Sequence, residues 1–232
     1  MRIVQLLQSV PRVANFVAGA SLALLVLKAL VLNQMPGAFT GAQALGALAD
    51  AILTSVVASY IFFVIVVHLP NARDRQLVRP HVARHANHVV AFCRQQLNAL
   101  GSATSTTLNF DSLSRDELRA AFQATNPNAP APMVFSPGNQ AASWIQYLEH
   151  HVEKSLTSIA RTLSNVQFIE ARLVQLLTSI EDSSYFLQMR LIGSTPVRNT
   201  DLSVWAEPFF RYCALCKELE LYCAEALAPS TP

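Results

Sequence analysis

Two long apolar segments near the N-terminus constrain the fold of this chain more than any other feature. Residues 13–32 form the first segment and residues 45–69 form the second. A helix of roughly 20 residues crosses the hydrocarbon core of a bilayer, which is about 30 Å thick. The sequence therefore predicts a transmembrane hairpin over residues 13–70, between a short tail at 1–12 and a cytoplasmic domain at 71–232.

The arginines predict which side of the membrane each end of the hairpin faces. The link at residues 33–44 contains no Lys or Arg, whereas Arg2 and Arg12 precede the first segment. Four more arginines follow the second segment: Arg73, Arg75, Arg79 and Arg84. Because short loops rich in Lys and Arg remain in the cytoplasm, we expect both termini to be cytoplasmic. The four arginines are expected to contact anionic lipid headgroups.

Two opposite charges interrupt the apolar segments. Lys28 lies near the end of the first segment and Asp50 near the start of the second, so an antiparallel hairpin places them at similar depth. In one interpretation Lys28 reaches the outer headgroups while Asp50 lies in the interface. In another they form an ion pair within the hairpin or between protomers, and in a third they belong to an ion pathway or gate.

Small residues recur at every fourth position of the second segment. They are Ala47, Ala51, Ser55 and Ser59. Such a helix-packing seam lets two helix backbones approach closely. It favours either packing against the first segment or self-association of hairpins into a homo-oligomer.

The remaining 160 or so residues are predicted to form an antiparallel helical bundle, so the fold class is all-α. A helix over 71–100 is expected to be interrupted near Pro80, and Ser114 with Glu117 has the spacing of a capping box. Residues 126–139 are proline-rich and predict a loop. A near-heptad apolar stripe from Trp144 to Leu187 predicts one long helix, and a last helix is expected over 202–227. We favour a bundle over a coiled coil, because other helices are available to cover the stripe, and no segment alternates like a strand.

Histidines and cysteines provide the candidates for chemistry in the soluble part. His81, His85 and His88 share one helix face, which fits a zinc site but is better explained as a polar face near the headgroups. Cys213 and Cys216, with Cys223 one heptad on, favour buried core positions over a thiol switch or metal site.

Residues 149–153 contain Glu149, His150, His151 and Glu153. Because consecutive side chains point around a helix, this group favours a solvated surface over a catalytic site. The sequence has no phosphate loop, nucleophile elbow or nucleotide fingerprint. We therefore predict no catalytic residue, no bound metal and no cofactor. A net charge of +2 is too small to indicate direct nucleic-acid binding.

The overall arrangement resembles the two-span effector proteins of bacterial anti-phage systems, including those of retrons. The resemblance is carried by the hairpin at 13–69, the basic segment at 73–84 and the sequence at 60–70, YIFFVIVVHLP. It covers about a third of the chain and is a likeness of architecture, without a catalytic motif.

The resemblance implies a toxin-like effector of the bacterial inner membrane that acts by abortive infection. Such an effector is restrained by a cytoplasmic protein partner and disrupts the membrane when released. In a retron system the partner is a reverse transcriptase with its RNA–DNA hybrid. Two alternatives stay open: a membrane-anchored scaffold or signalling subunit without toxicity, and a metal- or thiol-dependent membrane enzyme.

Overall fold

Both apolar segments form helices whose apolar side chains are exposed. In the computed structural model, which describes residues 10–30, 42–135, 140–192 and 197–227, α1 spans Arg12–Leu30 and α2 spans Ala42–Phe62. Each is long and apolar enough to cross a membrane, and few of its residues are buried within the protein. A helix that is apolar on all sides requires either a large protein core or lipid around it. The lack of burial favours lipid.

Helical backbone continues from α2 without a break through two prolines. A π-helical segment, Phe63–His68, leads into α3, which spans Leu69–Thr104 and contains Pro80. The predicted interruption at Pro80 is therefore wrong, and Pro70 does not end the helix. A proline ring clashes with the carbonyl four residues earlier. For Pro70 that residue is Val66, which lies in the wider π-helical turn.

The chain divides into two units, Met1–Gln76 and Leu77–Pro232. The second unit is mostly helical, which confirms the helical class predicted from the sequence. Its helices after α3 are α4 at Arg115–Gln123, α5 at Trp144–Leu163, α6 at Ala171–Glu181, α7 at Ser184–Ile192 and α8 at Ala206–Ala226. Short 3-10 turns lie at Val166–Phe168 and Ser203–Trp205.

Two local predictions have opposite outcomes. The capping box of α4 is confirmed, since the Ser114 side chain accepts from the Glu117 amide and the Glu117 side chain accepts from the Ser114 amide. The loop predicted for 126–139 is wrong in part. Two antiparallel strands, β1 at Pro130–Phe135 and β2 at Gln140–Ser143, form a small sheet there.

The single long helix predicted after residue 141 is also wrong, because the chain breaks twice. After α5, the Ser164 hydroxyl and the Asn165 amide both donate to the carbonyl of Arg161, at 2.8 and 3.1 Å. Side chains of this kind compete with the backbone and favour helix ends. A second break follows α6 at Asp182, before α7 begins at Ser184.

Most of the predicted apolar stripe is buried despite these breaks. The stripe packs against a core that contains an aromatic cluster. Tyr185, Phe209 and Tyr212 of this cluster are fully buried. The Tyr185 and Tyr212 rings are stacked with centroids 5.3 Å apart. Tyr185 also donates to Gln96 Oε1 at 2.6 Å, and Gln96 in turn donates to the Phe92 carbonyl at 3.1 Å.

We predict that Tyr185→Phe destabilises the second unit by about 1–3 kcal/mol, because it leaves the buried Gln96 oxygen without a donor. The matched control is Tyr222→Phe, since that hydroxyl donates to the exposed carboxylate of Glu170, which water can solvate. Unfolding of the full chain in detergent can be followed by tryptophan fluorescence, because Trp144 and Trp205 both lie in this unit. Equal stability of the two variants would contradict the prediction.

Candidate functional site

The hairpin unit brings its two charged side chains together. Lys28 Nζ lies 2.5 Å from Asp50 Oδ2 and also donates to the carbonyl of Gly46. A Cβ atom added at Gly46 would lie 3.2 Å from Lys28 Nζ, so a glycine leaves room for this ammonium group. A charged pair costs far less in hydrocarbon than an isolated charge. Among the three interpretations, this geometry is that of an ion pair within one hairpin.

A second polar pair joins the same two helices. The Tyr60 hydroxyl lies 2.5 Å from Asn15 Oδ1. It was not predicted, although Asn15 is a lone amide within an apolar segment, and such residues usually need a partner in lipid. Both polar pairs join α1 to α2, and the side chain of Asp50 remains 46% exposed.

The stripe of small residues lies on another face of α2. Ala47, Ala51, Ser55 and Ser59 are all exposed. The partly buried positions of α2 include Gly46, Asp50, Leu53, Val57 and Tyr60. The stripe therefore does not supply the packing surface for the first span, and its role in self-association stays a prediction.

The four arginines of the basic segment differ in their exposure to solvent. Arg73, Arg75 and Arg84 are exposed. Arg79 is half-buried and donates to the carbonyl of Ala226, the last residue of α8. A cation at a helix C-terminus is stabilised by the helix dipole, so Arg79 has a structural contact within the protein. Lipid contact by the other three arginines stays a prediction.

His85 differs from the polar, exposed face predicted for the three histidines. His81 and His88 are exposed, but His85 is buried. Its ring centroid lies 4.5 Å from that of His81 and 5.6 Å from that of His88. Burial lowers the pKa of His85, and nearby cationic groups lower it further, namely His81, His88, Arg161 and Arg84.

The second unit contains an open groove of about 1030 Å³. We call it the aromatic groove. Its walls are residues of α3 between Phe92 and Ala103, residues 130–133 of β1, and residues of α5 between Trp144 and Lys154. Sequence reasoning missed this site. The spacing of Trp144, Tyr147 and His151 on one helix face was the signal that could have indicated it.

Ring contacts connect the two helical walls of the aromatic groove. The centroid of His151 lies 6.1 Å from that of Phe92 and 4.3 Å from that of Tyr147. The Nδ1 atom of His151 lies 2.9 Å from the Tyr147 carbonyl. Because a carbonyl only accepts, His151 must carry its proton on Nδ1, which leaves Nε2 as an acceptor in the neutral ring. The prediction that residues 149–153 are simply solvated is thus wrong for His151, which is buried.

All four cysteines are buried, which confirms that Cys213, Cys216 and Cys223 are core residues. Cys93 Sγ lies 3.5 Å from Cys213 Sγ. Burial raises the pKa of Cys93 strongly, and hydrogen bonds with Cys213 and Cys216 add to this effect. A thiol kept protonated is a poor nucleophile and a poor metal ligand.

Within the described residues, no group of three or more His, Cys, Asp or Glu side chains is placed to hold a metal ion. Comparison with protein families, with curated proteins and with solved structures finds no match for this chain.

We predict that acidification destabilises the second unit. The folded-state pKa values of His85 and His151 are both lowered from 6.5, chiefly by burial. Below pH 6.5 these two histidines bind protons in the unfolded chain more readily than in the folded chain. The free energy of unfolding should thus have its full value above the unfolded-state pKa. It should fall as the pH drops towards the folded-state pKa.

The measurement is denaturant unfolding of the full chain at about pH 7.5 and about pH 5, the range in which histidines titrate. His85→Leu should lose less stability on acidification than the wild type. The control, His150→Gln, removes a half-buried histidine and should retain most of the dependence. Identical pH dependence in His85→Leu and the wild type would show that His85 does not contribute.

Proposed function

We propose that this chain is a two-span effector of the bacterial inner membrane, restrained by a cytoplasmic protein partner and able to disrupt the membrane when released. Both termini are cytoplasmic in this proposal, and the activity resides in the hairpin rather than in an enzymatic site. A retron-type anti-phage system is the setting that the resemblance in architecture implies. Its partner would be a reverse transcriptase with its RNA–DNA hybrid.

The observation that carries this proposal is the exposed stripe on α2. The stripe faces away from the polar pairs that satisfy Lys28, Asp50 and Asn15 within the hairpin. Hairpins can therefore pack through Ala51 and Ser55 without breaking any internal polar contact. Small residues allow close helix contact in lipid, where no hydrophobic effect drives helices together.

Membrane potential in cells expressing the chain without other proteins of its system tests this proposal. We expect the potential to collapse and growth to stop. Ala51→Leu places a bulky side chain on the stripe and should preserve the potential. The matched control is Ala49→Leu, since Ala49 is exposed on the same helix but off the stripe, and this variant should remain toxic.

Two results would contradict the effector proposal. One is an unchanged potential in cells that contain the membrane-inserted wild-type chain. The other is equal toxicity of Ala51→Leu and Ala49→Leu, which would exclude the stripe as the assembly surface.

A membrane-anchored scaffold or signalling subunit is the second candidate. The Lys28–Asp50 pair is consistent with it, because charges neutralised within one hairpin fit an anchor as well as an assembling toxin. It predicts normal growth of expressing cells and a stably co-purifying partner. No geometry in the described residues favours the third alternative, a metal- or thiol-dependent enzyme.

A further inference from the structure

The aromatic groove is large and open. Its volume of about 1030 Å³ lies at the upper end of the range for small-molecule pockets, roughly 300–1,000 Å³. Small-molecule sites also enclose most of their ligand, whereas one side of this groove faces solvent through exposed residues such as Asn98, Ser102 and Lys154. These features favour a segment of a protein over a metabolite.

The length of the groove fits a short extended segment. Its α3 wall runs from Phe92 to Ala103, which at about 1.5 Å per residue is roughly 16 Å. An extended chain advances about 3.3 Å per residue, so roughly five residues span the wall.

The α3 wall presents polar groups in a row. Gln95, Asn98 and Ser102 lie at helical spacing, line the groove and are exposed. Amide and hydroxyl groups can both donate and accept, so this row can pair with the main chain of an extended segment. Phe92 and Met133 are half-buried in the same groove and offer an apolar surface for one side chain.

The prolines of the β1 wall disfavour binding by strand addition. Strand addition depends on main-chain hydrogen bonds along a sheet edge. Pro130 and Pro132 both line the groove, and a proline has no N–H to donate. Recognition must therefore depend mainly on side chains of α3 and α5.

The charge of the residues that line the groove indicates which kind of segment binds there. Lys154 is the one side chain of the lining with a full formal charge, and the described residues provide no ion pair for it. The nearby carboxylates of Glu149 and Glu153 are not part of the lining. An acidic group complements this surface.

We propose that the aromatic groove binds an extended acidic segment, about five residues long with an apolar side chain, from a partner protein. The partner's carboxylate pairs with Lys154, its main chain contacts Gln95 and Asn98, and its apolar side chain packs on Phe92 and Met133. This inference specifies the chemistry of the segment by which the cytoplasmic partner binds. It rests on the proposed function for the existence of that partner.

Two labelled peptides test the proposal by fluorescence anisotropy with the full chain in detergent micelles. One alternates Glu with Leu and the other alternates Lys with Leu. We expect saturable binding of the acidic peptide and about tenfold weaker binding of the basic one, a difference of 1.4 kcal/mol. Lys154→Glu should weaken binding of the acidic peptide by at least the same factor.

A second variant blocks the groove sterically. Ala103 is exposed and lines the groove, so Ala103→Trp should fill it and abolish binding. The matched controls are Arg190→Glu and Ala214→Trp, which change exposed residues outside the lining and should bind like the wild type. Circular dichroism melting curves establish that every variant is folded.

Three results of the binding measurements would overturn the proposal. They are absence of saturable peptide binding, equal binding of both peptides, and equal effects of groove variants and controls. A dimer of the wild type that Ala103→Trp dissociates would assign the groove to a second copy and would also overturn it. Because binding is measured on purified protein, a negative membrane-potential result leaves this inference standing, and a negative binding result counts against the groove alone.

Discussion

The pairing of Lys28 with Asp50 is the interaction on which the account of the hairpin depends. A lone charge in hydrocarbon is costly, and the cost falls when the charge finds a partner. Here the partner lies on the adjacent helix, together with the Gly46 carbonyl. Asn15 and Tyr60 are paired as well, and the side chain of Asp50 is 46% exposed. The stripe of small residues on α2 is the surface on which the proposed activity depends.

The second unit pairs some of its buried polar atoms in the same way, whereas His85 Nδ1 and Gln188 Oε1 are buried without a hydrogen-bond partner among the described residues. Tyr185 and Gln96 are both buried, and each has its hydrogen bond there. In the aromatic groove, the polar side chains of Gln95, Asn98 and Lys154 are exposed. A surface with unused hydrogen-bonding groups beside apolar side chains is typical of a binding site. The proposals above assign membrane association to the first unit and partner recognition to the second.

Sequence patterns predicted the features that depend on long periodic signals. The apolar segments, the helical class and the buried stripe from Trp144 onward all follow from such periodicity. The break after α5 was missed because local hydrogen bonds by Ser164 and Asn165 outweigh an apolar stripe that continues past them. The β1–β2 sheet was missed because prolines at 130 and 132 indicate a loop. The groove was missed because it forms only when α3 and α5 come together in the fold.

A double-mutant cycle tests whether Lys28 and Asp50 stabilise each other within the hairpin. The quantity to measure is the fraction of chain recovered folded in the membrane for Lys28→Leu, Asp50→Leu and the double variant. If the two charges satisfy each other, each single change leaves a lone charge in the hairpin and lowers that fraction, while the double change restores it. Additive losses, or single variants that insert as well as the wild type, would contradict an internal ion pair.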